Sequence, residues 1–557
     1  MDFLQIGVVL ALVILLAIPM AKYLSNVYSL ETTKQDRIFG RIERGIYKLS
    51  GIQTSDMNWK QYAKALLLSN LVMLSVSYMI LRFQGFLPGN PSKIGNMDPL
   101  LAFNTAVSFV TNTNLQHYSG ESGLSYLSQM VVIMFLMFTT PATGLALCMA
   151  VFRGLTGQRS IGNFYVDLIR SLTRVLLPLS ILVGLVLVSQ GVPQTFKPTE
   201  IVTTLEGETQ SIARGPVAAL ESIKHIGTNG GGFFGVNSAH PFENPNGFTN
   251  ILEILFMFLL PAALPLTFGY MAKNKKQGWI LFTTMGLMFL LFLSITYFSE
   301  QNGNPALQGI GLSQENGSME GKEVRFGIAQ SALFTAVTTA ATTGTVNNMH
   351  DTLTPLGGLM PLVMMMLNSV FGGDGVGTIN ILMYSLMAVF IAGLMVGRTP
   401  EFLGKKIEGR EMKLIAITIL LHPLIILVPS AIALATQMGT SAISNPGFHG
   451  ISQVVYEFTS SAANNGSGFE GLGDNTPFWN ISTGLVMLFG RYFSMIAMIA
   501  IAGSLLAKKR VPETIGTFKT DNSTFGVILL ATVLIIGALT FFPVIALGPV
   551  AEWLTIR

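Results

Sequence analysis

Ten apolar runs, at residues 4–21, 63–81, 126–152, 175–189, 250–271, 279–298, 356–396, 414–435, 479–506 and 525–547, leave this chain few folds to choose from. Most approach or exceed the roughly 20 residues that a helix needs to cross a bilayer core. Charged residues make up 11% of the 557, against about 25% in soluble domains, so the runs belong in lipid rather than in one large water-soluble core. The first run has Asp2 before it and Lys22 after it, the reverse of a secretory leader's charge order, and reads as a retained helix. The single Cys148 excludes an internal disulfide.

Basic residues fix the sidedness. Lys34, Arg37, Arg41, Arg44 and Lys48 follow the first run, and Arg153, Arg159, Arg170 and Arg174 the third. Further clusters are Lys273, Lys275 and Lys276, then Arg398, Lys405, Lys406, Arg410 and Lys413, then Lys508, Lys509 and Arg510. Counting the runs as spans puts every cluster on one face, the cytoplasmic one, with both termini outside. Short basic clusters beside apolar runs do not describe a nucleic-acid surface.

From the second run onward the runs fall into four pairs, and between the two members of each pair lies a short polar turn that recurs. Thr339-Ala340-Ala341-Thr342-Thr343-Gly344 matches Ser461-Ala462-Ala463-Asn464-Asn465-Gly466, and the same alignment brings in Thr228-Asn229-Gly230 and Asn112-Thr113-Asn114. Third positions Asn114, Gly230, Gly344 and Gly466 recur roughly every 115–120 residues, a duplicated unit too long for a solenoid repeat. Glycine takes positive φ freely and Asn tolerates it, so one unusual backbone turn is expected four times. Four bends that only let helices pack would not call for Thr or Asn in the preceding positions. Non-helical backbone at membrane depth must be buried in protein or line water. Four such loops meeting on one axis would supply rings of carbonyl oxygens, the arrangement that replaces a potassium ion's hydration shell. Short segments before the turns, such as Pro99–Val110 or residues 329–339, are the expected pore helices.

Two irregularities break the pattern. Phe371-Gly372-Gly373-Asp374-Gly375-Val376-Gly377 interrupts the seventh run, and a broken span lines a cavity in transporters. Asp374 is then an ion contact or part of a cytoplasm-side kink. Arg491 falls mid-span, where a charge is expensive and lines a path or supports a filter. His117, His225, His240, His350, His422 and His449 lack metal-ligand spacing, and no nucleotide-binding, kinase or nucleophile-elbow motif occurs.

Met57-Asn58-Trp59-Lys60-Gln61-Tyr62, residues 104–114, residues 227–234 with His240-Pro241-Phe242-Glu243-Asn244-Pro245, Gly397-Arg398-Thr399-Pro400-Glu401 and residues 460–467 resemble the KdpA family over the whole length. Thr342-Thr343 stand where that family's Ser-Cys is familiar. The resemblance implies an all-α polytopic protein of four fused helix–pore loop–helix repeats in a pseudo-tetrameric, potassium-channel-like pore, with one extra helix at each end. The units are residues 1–62 (first helix and cytoplasmic loop), 63–173, 174–277, 278–411 with the broken helix, 412–510, and 511–557 (last helix). It also implies a multi-pass protein of the bacterial cell membrane whose ligand is K+, with no organic cofactor and no catalytic site. ATP would be hydrolysed by a P-type partner, KdpB, beside a single-span KdpC and a small peptide KdpF. Thr111, Gln116, Gly231 and Gly232 would adjoin the filter, and Gly372, Gly373, Asp374, Gly375, Arg398 and Arg491 would form gate or tunnel.

A stand-alone channel or gradient-driven uptake protein of the same superfamily is the alternative. A potential of about 100 mV supplies roughly 2.3 kcal/mol per charge, about fifty-fold accumulation. Scavenging beyond that requires an energised partner. An organic-solute permease predicts inverted halves rather than four like-oriented units.

Overall fold

The computed structural model describes residues 2–397, 399–512 and 518–556. Among them, ten helices are long and apolar enough to cross a membrane: Asp2–Val27, Trp59–Phe86, Tyr126–Thr156, Phe164–Ser189, Gly247–Met271, Lys275–Gly309, Val376–Met395, Gly409–Ala435, Pro477–Ala507 and Ser523–Thr555. They coincide with the ten apolar runs. The fourth begins 11 residues before its run, at Phe164, because Arg170 and Arg174 lie within the helix rather than beyond its end. Arg174 is held there by Glu43 at 2.5 Å and Asp36 at 2.7 Å, both on the helix Lys34–Leu49. The seventh run divides into Pro355–Leu367 and Val376–Met395, with the glycine-rich stretch in the gap.

Polarity is inverted relative to a water-soluble core. Leu15, Leu71, Leu185, Leu291, Leu420 and Leu539 are exposed on the spans, while Asn104, Ser108, Thr335, Thr338 and Ser460 are fully buried. That distribution suits a hydrocarbon solvent, in which polar groups must find their partners inside the protein. Among the described residues, sheet is confined to two small hairpins, Glu200–Thr203 with Thr209–Ile212 and Glu401–Phe402 with Lys405–Lys406.

The motif at residues 57–62 is a structural joint. Asn58 Oδ1 accepts the amides of Lys60 and Gln61, and Gln61 Oε1 accepts the Asn58 amide, a reciprocal cap that starts the second span. Tyr62 Oη then donates to the Ala146 carbonyl at 2.7 Å and reaches Asp167 at 3.1 Å. Asp167 in turn binds fully buried Arg153 through both oxygens, at 2.7 and 2.9 Å. Three spanning segments are thereby tied together at one end of the protein.

Inside the ring of spans lie four short helices, Pro99–Val110, Val217–Ile226, Gly327–Ala340 and Phe448–Ala463. Nearly all their residues are buried, and each runs directly into one of the recurring polar turns.

Candidate ion-binding ring

The four turns share one backbone conformation. In every triplet the first and third residues have positive φ: Asn112 (61°) and Asn114 (59°), Thr228 (43°) and Gly230 (82°), Thr342 (44°) and Gly344 (91°), Asn464 (55°) and Gly466 (99°). Thr113, Asn229, Thr343 and Asn465 between them do not. Left-handed residues separated by one that is not turn successive peptide planes the same way, so consecutive carbonyls can face one axis instead of opposing each other. Glycine at the third position removes the steric cost. Threonine at a first position is β-branched in a region such residues avoid, so Thr228 and Thr342 carry strain that their surroundings must hold.

The same two hydrogen bonds fix each turn to its helix. The first residue's amide donates to the carbonyl three residues back (Asn112 to Phe109, Thr228 to His225, Thr342 to Thr339, Asn464 to Ser461). The second donates five residues back, to Ser108, Lys224, Thr338 and Ser460, at 2.8–2.9 Å. Thr338 and Ser460 also accept the third residue's amide on their hydroxyls, at 3.0 and 2.9 Å.

The triplets meet as a closed ring in chain order. A Cβ placed on Gly230 would strike the Thr343 carbonyl, one on Gly344 the Asn465 carbonyl, and one on Gly466 the Thr113 carbonyl. The fourth contact is Gly231, where a Cβ would lie 3.0 Å from the Asn114 carbonyl. Side chains cross the same seams. Asn112 Oδ1 accepts from Asn229 Nδ2 (2.6 Å) and Thr140 Oγ1 (2.7 Å), while Asn464 Nδ2 donates to Thr113 Oγ1 (2.9 Å). Thr111 Oγ1 pairs with Thr113 Oγ1 at 2.7 Å. Gln116 clamps the exits of the first two turns, accepting the Gly232 amide at 2.9 Å and donating to its carbonyl at 3.1 Å. Asn114, where the other turns have glycine, is buried with neither side-chain amide atom hydrogen-bonded.

The break in the seventh run packs directly against this ring. Gly373 N donates to Thr342 Oγ1 at 2.7 Å and Asp374 N to Thr228 Oγ1 at 2.9 Å, so the two strained threonines hold the loop. Gly372 and Gly375 take φ of 68° and 91°, which a side chain would disfavour. Asp374 is fully buried and both carboxylate oxygens lack a hydrogen-bond partner. Its carbonyl and Arg491 Nη2 both border Gly144, on the third span. Arg491 therefore lies beside the loop, whereas Arg398 is outside the described residues.

On the other side the ring opens into a cavity of about 720 Å³ lined by Gln116, His117, Gly231, Gly344, Gly466 and Asp474 among others. Sequence reasoning passed over two charged clusters here. His117 Nε2 approaches Glu457 at 3.2 Å and Asp474 at 3.7 Å, residues about 340–360 positions away that no spacing rule would pair with it. Lys224 occupies the position equivalent to Ser108, Thr338 and Ser460; it is fully buried and bound by Glu221 (2.7 Å) and Glu243 (2.6 Å). Glu243 also accepts the Phe234 amide at 2.9 Å, which ties the second turn's exit to its own helix. A lysine aligned with hydroxyl residues was the signal available for this site.

Comparison with known proteins follows the same lines. A profile described as "Potassium-transporting ATPase A subunit" matches residues 7–554. The chain is 64% identical over 557 residues to the potassium-transporting ATPase potassium-binding subunit of Geobacillus kaustophilus (strain HTA426), covering 100% of this chain and 99% of that protein. Among solved structures, the potassium transporter TrkH from Vibrio parahaemolyticus shares the fold, with TM-score 0.52 and 16% identity over 79% of this chain and 84% of that one. With a whole-length match on one side and a fold of the same kind on the other, the chain belongs to the KdpA family.

Proposed function

We propose that this chain is the potassium-binding and translocating subunit of an ATP-driven uptake pump. The observation that carries the reading is the closed ring of four turns with alternating backbone handedness, at the ends of four short buried helices. Each helix presents its C-terminal end, equivalent to about half a negative charge, to the ring, and each turn offers carbonyl oxygens of the kind that strip water from potassium. Four like-oriented helix–loop–helix units explain why triplets spaced so far apart repeat the same hydrogen bonds. The name of the Geobacillus relative supplies the ATPase context.

Potassium enters the 720 Å³ vestibule from outside and dehydrates in the ring. It then meets the loop 371–377, which obstructs direct exit and diverts it sideways. Arg491, beside that loop, opposes straight-through leakage by its charge. Phosphorylation chemistry belongs to a P-type partner of the KdpB kind, with KdpC- and KdpF-like subunits completing the complex in the bacterial cell membrane, termini outside. Rubidium or thallium density in the ring of the purified complex tests the filter, and density elsewhere with the ring empty would sink it. Co-purification with an ATPase subunit separates the pump from a stand-alone channel.

A further inference from the structure

We infer that His117, Glu457 and Asp474 form a binding site for a divalent transition-metal ion of the zinc class at the outer mouth of the ring. The three come from separate elements: the non-helical segment leaving the first turn, the short helix Phe448–Ala463, and the loop before the span Pro477–Ala507. Their donor atoms lie within 4.8 Å of one another, with His117 Nε2 3.2 Å from Glu457 Oε1 and 3.7 Å from Asp474 Oδ2. Ligands held at about 2.0–2.1 Å from a tetrahedral zinc sit roughly 3.3 Å apart. The cluster is therefore already close to that spacing.

The imidazole is also oriented for the task. His117 Nδ1 lies 2.8 Å from Asn480 Oδ1, and Asn480's own amide nitrogen donates to Asn475 Oδ1 at 3.1 Å. Asn480 thus offers an acceptor that holds a proton on Nδ1 and turns Nε2 towards the two carboxylates. An outer hydrogen bond of this kind fixes the ring of a metal-ligating histidine. His117 and Glu457 are buried, whereas the Asp474 side chain is about a quarter exposed and faces the vestibule. That leaves a route of entry and a fourth position for water. One imidazole with two carboxylates suits zinc better than calcium or magnesium, which take all-oxygen shells.

The site lies three residues past Asn114, so a bound dication would oppose cation entry. That consequence rests on the potassium reading, whereas binding itself does not. Co2+ absorption titration of the purified complex, with Zn2+ as competitor, should find one site per chain. Affinity should fall tenfold or more in Asp474→Asn and in Glu457→Gln, with Tm within a few degrees of wild type. Absence of a site, or wild-type affinity in both variants, would overturn the assignment. In the second arm Zn2+ should slow rubidium uptake by the wild type and spare Asp474→Asn. Binding without inhibition would remove the blocking role and leave the potassium reading intact. An empty ring in rubidium-soaked complex would do the reverse.

Discussion

Gly230→Ala is the smallest change that tests the ring. At φ 82° a side chain costs about 1–2 kcal/mol. The new methyl would also strike the Thr343 carbonyl and lie 2.9 Å from Gly344 Cα, all backbone, which cannot swing aside as a side-chain tip could. Overpacking of this kind costs about 1–3 kcal/mol. If about 2 kcal/mol of the total falls on the ion-bound form, the half-saturating potassium concentration rises about thirty-fold. Discrimination against sodium should fall as well, because the displaced Thr343 carbonyl is one of the proposed ligands. Rubidium uptake against concentration, at matched protein abundance, reads both effects. Gly286→Ala is the control, since a Cβ there meets nothing within 4 Å. Uptake by Gly230→Ala within twofold of that control at every concentration would refute the reasoning.

Gln116→Arg loses both hydrogen bonds to Gly232 and adds a cation at the ring's mouth, and should weaken apparent potassium affinity tenfold or more; an unchanged value removes Gln116 from the site. Thr342→Val leaves the Gly373 amide without its acceptor, a loss of about 1–3 kcal/mol, and should raise ATP-independent rubidium leak several-fold in vesicles, with an unaltered leak counting against the loop as a barrier. Arg491→Gln should raise the same leak, and wild-type transport and selectivity would show that the charge does not guard the exit. His449 lies between Asp351 (2.9 Å) and Glu552 (3.0 Å); burial opposes its charge, but these carboxylates raise its pKa to about 9. A raised histidine stabilises fully below its unfolded pKa of about 6.5 and loses that contribution as pH climbs through the folded value. Tm should therefore drop between roughly pH 6.5 and 9 by a component missing in His449→Gln, and parallel profiles would exclude it.

The spans and short helices were legible because hydrocarbon is an unforgiving solvent. It demands long apolar runs and forbids unpaired backbone between them, so Pro99–Val110 could be read to the residue. What spacing concealed was set by contacts between distant segments. Arg170 and Arg174 looked like the end of a span and instead lie inside a helix, because Asp36 and Glu43 of the helix Lys34–Leu49 reach them. His117 looked isolated because its partners, Glu457 and Asp474, lie about 340–360 positions further along the chain. The third-position glycines announced their positive φ, yet the first positions, two of them threonine, gave no such sign.

Threonine at two of the first positions bears on how ring and loop act together. A β-branched residue in the left-handed region is costly unless its neighbours fix it, and in Thr228 and Thr342 the fixing partners are the amides of Asp374 and Gly373. Asn112 and Asn464, at the same position in the other two turns, tolerate that region more easily and bond instead to side chains or carbonyls of neighbouring turns and spans. The strained half of the ring is therefore the half that grips the loop. Moving the loop away would release two buried amides and strip two threonines of their support at once. Loop displacement and loosening of the second and third turns are coupled by those two hydrogen bonds, so whatever stabilises the turns also holds the loop against them.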